Sequence, residues 1–379
     1  MLARTGLLAT CETPALVLDE RRMQRNIDRL RKRLAPHRVT LRPHIKTPKS
    51  IDVARRVLTN GNGPVTVSTL KEAEELFAAG VTDILYAVGI APNKLERVQS
   101  LRAQGGDLAV ILDSVAQAKA VAAVSRTAPI PALIEIDSDG HRAGVKPGDP
   151  QIEAIGRALV DGGAILRGVM THCGGSYGAQ GDAELEAFAE QERLAVVTAA
   201  QRLRSAGLPC PVVSVGSSPT AHFARNLAGV TEVRAGVFVF FDLVMAGIGV
   251  CALDDIAISV LTTVIGHEPT KNWVIVDAGW MALSRDRGTQ GQAVDQGYGL
   301  VCDADGVPFP HLIVSQVNQE HGIVSVRPGS DAPMPDLPIG MLLRILPNHA
   351  CATAAQFDAY RVLQADGTSL ATWPRFRGW

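Results

Sequence analysis

The stretch "VTLRPHIKTPKS" spans residues 39–50. Its first part, "VTLRPHIK" (39–46), is a β-branched, partly apolar run of strand character that ends in Lys46. An amine at the end of a buried strand calls for a partner, a solvated strand end or chemistry. The run alone does not choose among these, but the residues beyond it set the fold. A helix-compatible segment comes next, and the alternation repeats through "PVTVST" (64–69), "DILYAV" (83–88), "LAVILD" (108–113), "ALIEID" (132–137), "ILRGVMTH" (165–172), "PVVSVG" (211–216) and "EVRAGVFVFFD" (232–242). Helical stretches such as "LKEAEELFAAG" lie between them and end in Gly, as helix C-termini often do.

Near-continuous apolar strands suit a parallel sheet covered on both faces. Eight strand–helix units suit a closed barrel. One earlier run, "PALVLD" (14–19), precedes an amphipathic helix and is left over outside that barrel. From about residue 250 the texture changes to alternating hairpins: "AISVLTTVIGHEP", "NWVIVDAG", "HLIVSQVNQEHGIVSV" and "GMLLRILPNHACAT". The expected fold class is therefore α/β. Residues 20–249 form a (β/α)8 TIM-type barrel and 250–379 a mostly antiparallel β domain, joined by the strand within 1–19. A doubly wound open sheet is the alternative, but no GxGxxG follows any of the strands.

Composition narrows the partners. The net charge is −1 over 379 residues, with mixed signs, which gives no basic stripe for nucleic acid or a membrane surface. No apolar run reaches the length of a membrane span. The first residues, "MLARTGLLATCETP", are too weakly apolar for a signal peptide. Six scattered cysteines (11, 173, 210, 251, 302 and 351) read as reduced thiols, so a cytoplasmic protein is expected.

In such barrels the C-terminal strand ends hold the chemistry. Lys46 ends the first, "THCGGSYG" (171–178) follows the sixth, and "SVGSSPT" (214–220) closes the seventh. Gly216, Ser217, Ser218 and Thr220 offer N–H groups and hydroxyls to an anion such as phosphate, or form an ordinary helix cap. Arg234 and Gly236 supply charge and close backbone approach near the same place. A lysine beside a phosphate site suggests a Schiff base to pyridoxal 5'-phosphate, against the plainer reading of a strand-end lysine reaching water.

"LPNHACAT" (346–353) sets His349 and Cys351 two apart. In an extended segment both side chains point the same way. Imidazole plus thiolate suits Zn2+, whereas a carboxylate in the second place would favour a harder ion such as Mn2+. Two protein ligands leave positions for water and substrate. The plainer reading is core packing.

Taken together, "PALVLD", "RMQRNI", "LRPHIKTPKS", "VSTLKEAEELFAAGVTDILYA", "IEIDSDGHRAGV", "PVVSVGSSPTA", "TEVRAGVFVFFD", "IVDAGWMALSRDRG", "NQEHG" and "LPNHACAT" resemble the D-threo-3-hydroxyaspartate dehydratase family. This sits in the group containing D-serine dehydratase and D-threonine aldolase, which shares the alanine-racemase-type fold (fold type III of the pyridoxal phosphate enzymes). The resemblance implies that Lys46 carries the cofactor and that its phosphate rests on the "GSSPT" loop and near Gly236. It also implies Tyr177 at the pyridine nitrogen, His172 against the cofactor face and Arg142 near the phenolic oxygen. Zinc would lie on His349 and Cys351. Gln319 and His321 are candidates for a place near the metal or the substrate, with plain structural roles as the alternative.

The implied reaction is a β-elimination on a small D-3-hydroxy amino acid, giving oxaloacetate and ammonia from 3-hydroxyaspartate, in a homodimer. Alternatives are retro-aldol cleavage of the D-threonine aldolase type, D-serine dehydration and a non-catalytic cofactor carrier. A barrel enzyme without the cofactor is a further one. Arg142, Arg285 and Arg287 are unranked candidates for the substrate carboxylate.

Overall fold

The structure, a computed structural model, describes residues 4–126 and 128–379. Among them seventeen strands form two sheets. The parallel sheet holds β2 (Thr40–Pro43), β3 (Val65–Val67), β4 (Asp83–Gly89), β5 (Asp107–Leu112), β6 (Pro131–Ile136), β7 (Ile165–Thr171), β8 (Val212–Val215) and β9 (Glu232–Ala235), in the order β2-β9-β8-β7-β6-β5-β4-β3. The ends of this row meet as well: His44 bridges Thr66, and the Ile45 N–H donates to the Thr66 carbonyl at 2.9 Å. The eight strands thus form a near-closed barrel of the alanine-racemase type. Its strands read as apolar runs because helices cover the outside while side chains fill the inside; all six residues of β6 are buried.

The inside is not apolar throughout. Arg42 on β2 donates to Glu232 on β9 at 2.8 Å and to Asp83 on β4 at 2.7 Å. Glu232 also accepts from Ser214 Oγ at 2.7 Å, and Arg234 donates to Ser214 Oγ and to the Thr171 carbonyl. The bonds from β2 to β4 and from β9 to the end of β7 skip a strand, so they run through the ring. Removing one partner from such a buried network would cost ~3–5 kcal/mol, because the other charge is left unpaired.

Two strands stop earlier than their sequence suggests. β2 pairs only through Pro43, with the single bridge at His44; the Lys49 N–H then donates to the Ile45 carbonyl at 2.9 Å, turning residues 45–48 out of the sheet. β9 pairs only through Ala235, after which a 3-10 turn (Val237–Val239) leads to Asp242, the N-cap of the short helix Leu243–Gly247. In each case a local turn bond replaces the ladder.

The other sheet holds β1 (Ala15–Asp19), β10 (Ile258–Glu268), β11 (Trp273–Val276), β12 (Leu300–Asp303), β13 (Pro308–Val317), β14 (Gly322–Val326), β15 (Leu342–Leu346), β16 (Ala359–Leu363) and β17 (Leu370–Pro374). Their order is β11-β14-β13-β12-β15-β10-β1-β16-β17, and β10 also pairs β11, which closes six of them into a ring. All pairs are antiparallel except β1 with β16. The leftover strand of the sequence, β1, therefore joins this sheet.

By compactness the chain divides into residues 29–236 with 376–379, and residues 4–28 with 237–375. The first turns of helix Glu20–Leu34 go with the antiparallel unit because Arg22 pairs with Asp254 at 2.8 Å and Asn26 donates to the Asp255 carbonyl at 2.8 Å. Phe240 goes with it too, edge-on to Tyr360 with ring centroids 5.5 Å apart.

Candidate active site and metal pair

Lys46 lies in the turn after β2, three residues past the paired strand end, with its side chain exposed. Its backbone N–H donates to His44 Nδ1 at 3.4 Å, and His44 Nε2 lies 3.4 Å from Ser68 Oγ. Burial, then the charges of Lys46 and Arg234, push the His44 pKa well below the ordinary imidazole range, so this ring is neutral. Gly236 is pressed against the same turn. A Cβ there would stand 3.1 Å from Thr47 Oγ1 and 3.2 Å from both the Cβ and the carbonyl oxygen of His44.

His172 follows β7 and donates from Nδ1 to the Gly216 carbonyl at 2.7 Å. Burial is the main reason its pKa falls to about 4; the Gly216 bond resists, and the charges of Lys46, Arg142 and Arg234 add to the fall. Tyr177, on the 3-10 turn Gly174–Gly178, has its ring 6.1 Å from that of His172, tilted by 54°. Ser176 Oγ reaches Ser217 Oγ at 3.1 Å. Gly216 leaves no room for a side chain, since an added Cβ would run into the Arg234 carbonyl.

The "GSSPT" loop turns out to be a capping box as well as a candidate anion loop. Ser217 caps the helix Ser218–Phe223, with the Thr220 N–H donating to Ser217 Oγ at 3.1 Å and the Ser217 N–H to Thr220 Oγ1 at 3.2 Å. The Gly216 N–H is taken by Glu192 at 3.0 Å. Arg234, only 4% exposed, is bound to Ser214 and Thr171 inside the ring. Arg142 is exposed and pairs with the buried Glu135 at 3.4 Å. The structure therefore sets Lys46 and Gly236 around His44, ties the His172–Tyr177 loop to Gly216 and Ser217, and bonds Arg234 to Ser214 and Thr171.

In the antiparallel unit, His349 is the N-cap of the helix Ala350–Ala354, and Cys351 lies in its first turn. The two converge through the start of a helix, not through the extended alternation expected from HxC spacing; the chain curls because Asp242 accepts the Ala350 N–H at 2.9 Å. His349 Nδ1 bonds Asp286 Oδ2 at 2.8 Å. Burial lowers the His349 pKa, but hydrogen bonds to Asp286 and Cys351 override it and hold the value at about 11. The bond from His349 in turn keeps Asp286 below the usual carboxylate range. Asn348, buried ahead of them, accepts from Thr289 Oγ1 at 2.5 Å and donates to the Gly297 carbonyl at 2.7 Å.

Among the described residues no group of three or more His, Cys, Asp or Glu forms a metal cluster. Gln319 and His321 are exposed on the β13–β14 turn, whose carbonyls accept the N–H groups of Trp280 and Met281 at 2.9 and 3.2 Å.

Sequence reasoning missed His44, Glu192, Asp242 and Asp286. His44 stood in the motif without a role. Asp286 gave no signal, because its partner lies 63 residues away.

Both candidate groups fit the residues present. Around Lys46 there is an exposed amine, two imidazoles kept neutral by burial, and a glycine where a Cβ would crowd the turn. At His349 a carboxylate takes the Nδ1 side of the ring and a thiol is hydrogen-bonded to it, the donor set of a zinc site with a carboxylate behind the histidine.

Comparison with known proteins matches two family models in turn. Residues 18–244 match the family model "Alanine racemase, N-terminal domain", and residues 257–363 match "Putative serine dehydratase domain". The class is thus an alanine-racemase-type barrel, the fold of pyridoxal phosphate enzymes, followed by a dehydratase-type domain. The chain is 57% identical to the D-threo-3-hydroxyaspartate dehydratase of Delftia sp. (strain HT23), over 98% of this chain and 99% of that one. It belongs to the D-threo-3-hydroxyaspartate dehydratase family. The solved structure of a cysteine-to-alanine mutant of such a dehydratase, described as metal-free, superimposes with a TM-score of 0.95 at 56% identity, covering 98% of this chain and 100% of the other. The D-serine dehydratase of Dictyostelium discoideum is 29% identical over 97% of each chain. No helix of the described residues is long and apolar enough to cross a membrane.

Proposed function

We propose that this chain dehydrates D-threo-3-hydroxyaspartate to oxaloacetate and ammonia by β-elimination, with pyridoxal phosphate on Lys46 and zinc on His349 and Cys351. The carrying observation is the pair itself: His349, backed by Asp286, with the Cys351 thiol hydrogen-bonded to it. A thiolate in that place suits zinc, and the family likeness to a dehydratase covers nearly the whole chain.

When bound, the cofactor supplies an electron sink for charge left at the α-carbon, and zinc a Lewis acid for the β-hydroxyl. Lys46 Nζ would hold the cofactor aldehyde, and the same amine would take the α-proton. The neutral rings of His44 and His172 add no positive charge beside it. Tyr177, beside His172, would face the ring nitrogen with its phenol, which would keep the sink moderate. The phosphate would rest on the Gly216–Thr220 loop and near Gly236, where the Gly216, Ser217 and Thr220 N–H groups brace the loop within the fold.

For the substrate carboxylate the arginines can now be ranked. Arg142 pairs with Glu135, and Arg287 pairs with Asp295 at 2.6 Å. Arg285 stacks on Trp280 at 4.5 Å, is exposed, and has no acidic partner among the described residues. Arg285 is therefore the proposed carboxylate binder. The same reading makes the protein a homodimer, as the resemblance implies, and a cytoplasmic one, as its free cysteines suggest; light scattering of the purified chain tests the dimer.

The deciding assay supplies D-threo-3-hydroxyaspartate, D-serine and D-threonine, each with and without a chelator. Ammonia and a keto acid, lost on chelation and restored by zinc, are expected, with hydroxyaspartate preferred. Glycine and an aldehyde would make the chain an aldolase. A protein that stays colourless after pyridoxal phosphate is added would overturn the cofactor assignment.

A further inference from the structure

The longest helix, Asp182–Ser205, turns Leu185, Ala189, Val196, Ala199 and Leu203 inward, and Glu192 stands in the middle of that apolar stripe with 1% of its surface exposed. A carboxylate in such a place is costly unless hydrogen bonds replace its water. Glu192 has them. Oε1 accepts the Cys173 N–H and the Gly216 N–H, both at 3.0 Å, and the Thr220 hydroxyl also bonds the carboxylate.

Those three partners come from two different strand ends. Cys173 lies in the loop after β7, which carries His172 and Tyr177; Gly216 lies in the loop after β8 and Thr220 in the first turn of the helix that follows it. Two further bonds tie the same loops, from His172 Nδ1 to the Gly216 carbonyl at 2.7 Å and between Ser176 and Ser217 at 3.1 Å. Without the carboxylate, two buried N–H groups would be orphaned at the point where the loops leave the barrel.

We propose that Glu192 is a positioning residue for the cofactor: by accepting one N–H from each loop it sets the spacing between the loop that faces the ring and the loop that faces the phosphate. It touches neither substrate nor cofactor. The proposal rests on the reading of the barrel mouth as a pyridoxal phosphate site.

Two variants of the full chain, stripped of cofactor, test it by titration with pyridoxal phosphate followed by absorbance. Glu192→Gln keeps a carbonyl oxygen for both N–H groups and should bind within about threefold of the parent. Glu192→Met keeps the length but accepts nothing, and should bind about tenfold more weakly or worse, as expected for two lost buried hydrogen bonds. A folded Glu192→Met chain that binds like the parent would overturn the proposal, and so would a Glu192→Gln chain as weak as Glu192→Met.

Should the methionine variant not fold, amide hydrogen exchange decides on the glutamine variant. Cys173 and Gly216 amides protected as in the parent uphold the proposal; free exchange at both overturns it. A parent chain that takes up no pyridoxal phosphate would sink the cofactor reading, and the exchange measurement would still judge Glu192.

Discussion

His172 in the parallel unit and His349 in the antiparallel unit are tied by the same ring atom at nearly the same distance. Nδ1 reaches the Gly216 carbonyl at 2.7 Å in one and the Asp286 carboxylate at 2.8 Å in the other. Their pKa values nonetheless part, to about 4 and about 11. A carbonyl carries no charge, so burial and the cations Lys46, Arg142 and Arg234 decide for His172. The Asp286 carboxylate and the Cys351 sulfur decide for His349. Partner chemistry, rather than hydrogen-bond geometry, keeps one imidazole neutral and the other protonated.

The largest expected effect separates the chemistry of the two units. Lys46→Ala should lower ammonia release by more than roughly 10^3-fold, the scale seen when a covalent group is removed. The side chain is exposed, so stability should move by less than ~0.5 kcal/mol. Cofactor absorbance should vanish while zinc content stays at the parental level. A variant that kept turnover would show that Lys46 is a solvated strand-end residue after all, and loss of zinc would mean that the two sites are not independent.

Asp286→Asn tests the other half of the comparison. It leaves a group that can still bond Nδ1 but removes the charge, making the surroundings of His349 more like those of His172. Zinc affinity should fall by ~10–100-fold, the usual cost of losing a carboxylate behind a ligating histidine. Chelator competition measures it, and cofactor binding should be untouched. Unchanged zinc affinity would show that the carboxylate is an ordinary surface partner of the helix end.

The same contrast explains what could be read in the chain. The barrel was legible because each strand–helix unit is a local pattern, and Lys46 and the His349–Cys351 pair stood out as candidates because each sits in a short motif. The partners were not. Arg42 meets Asp83 across 41 residues and Glu232 across 190, and Asp286 meets His349 across 63. No period in the sequence encodes such distances. Arg234 reads as charge near the anion loop because it lies at the end of the eighth strand, and its guanidinium bonds Ser214 and the Thr171 carbonyl, partners no local pattern announces. Glu192 is the exception that spacing offered: a carboxylate in a stripe running Leu185, Ala189, Val196, Ala199, Leu203 is out of place on an apolar face. The helix is rich in charge elsewhere, which hid it.

The smallest effect is a difference in sign. In the chelated protein, His349 has a raised pKa, so its contribution is complete below the unfolded value of about 6.5 and is lost as pH climbs toward about 11. His172 is depressed, so the unfolded chain binds the extra proton; its contribution is complete above about 6.5 and is lost as pH falls toward about 4. His44 acts in the same direction as His172. Urea midpoints across this range should therefore sag on both sides, and each side should answer to its own variant. His172→Gln should flatten the acid limb only, by at most the one-proton slope of ~1.4 kcal/mol per pH unit. Asp286→Asn should flatten the alkaline limb only, and by less, because the His349 side chain is 44% exposed and water screens the pair. An acid limb unchanged in His172→Gln would mean that burial does not keep that ring neutral, and the contrast between the two histidines would fail on the barrel side.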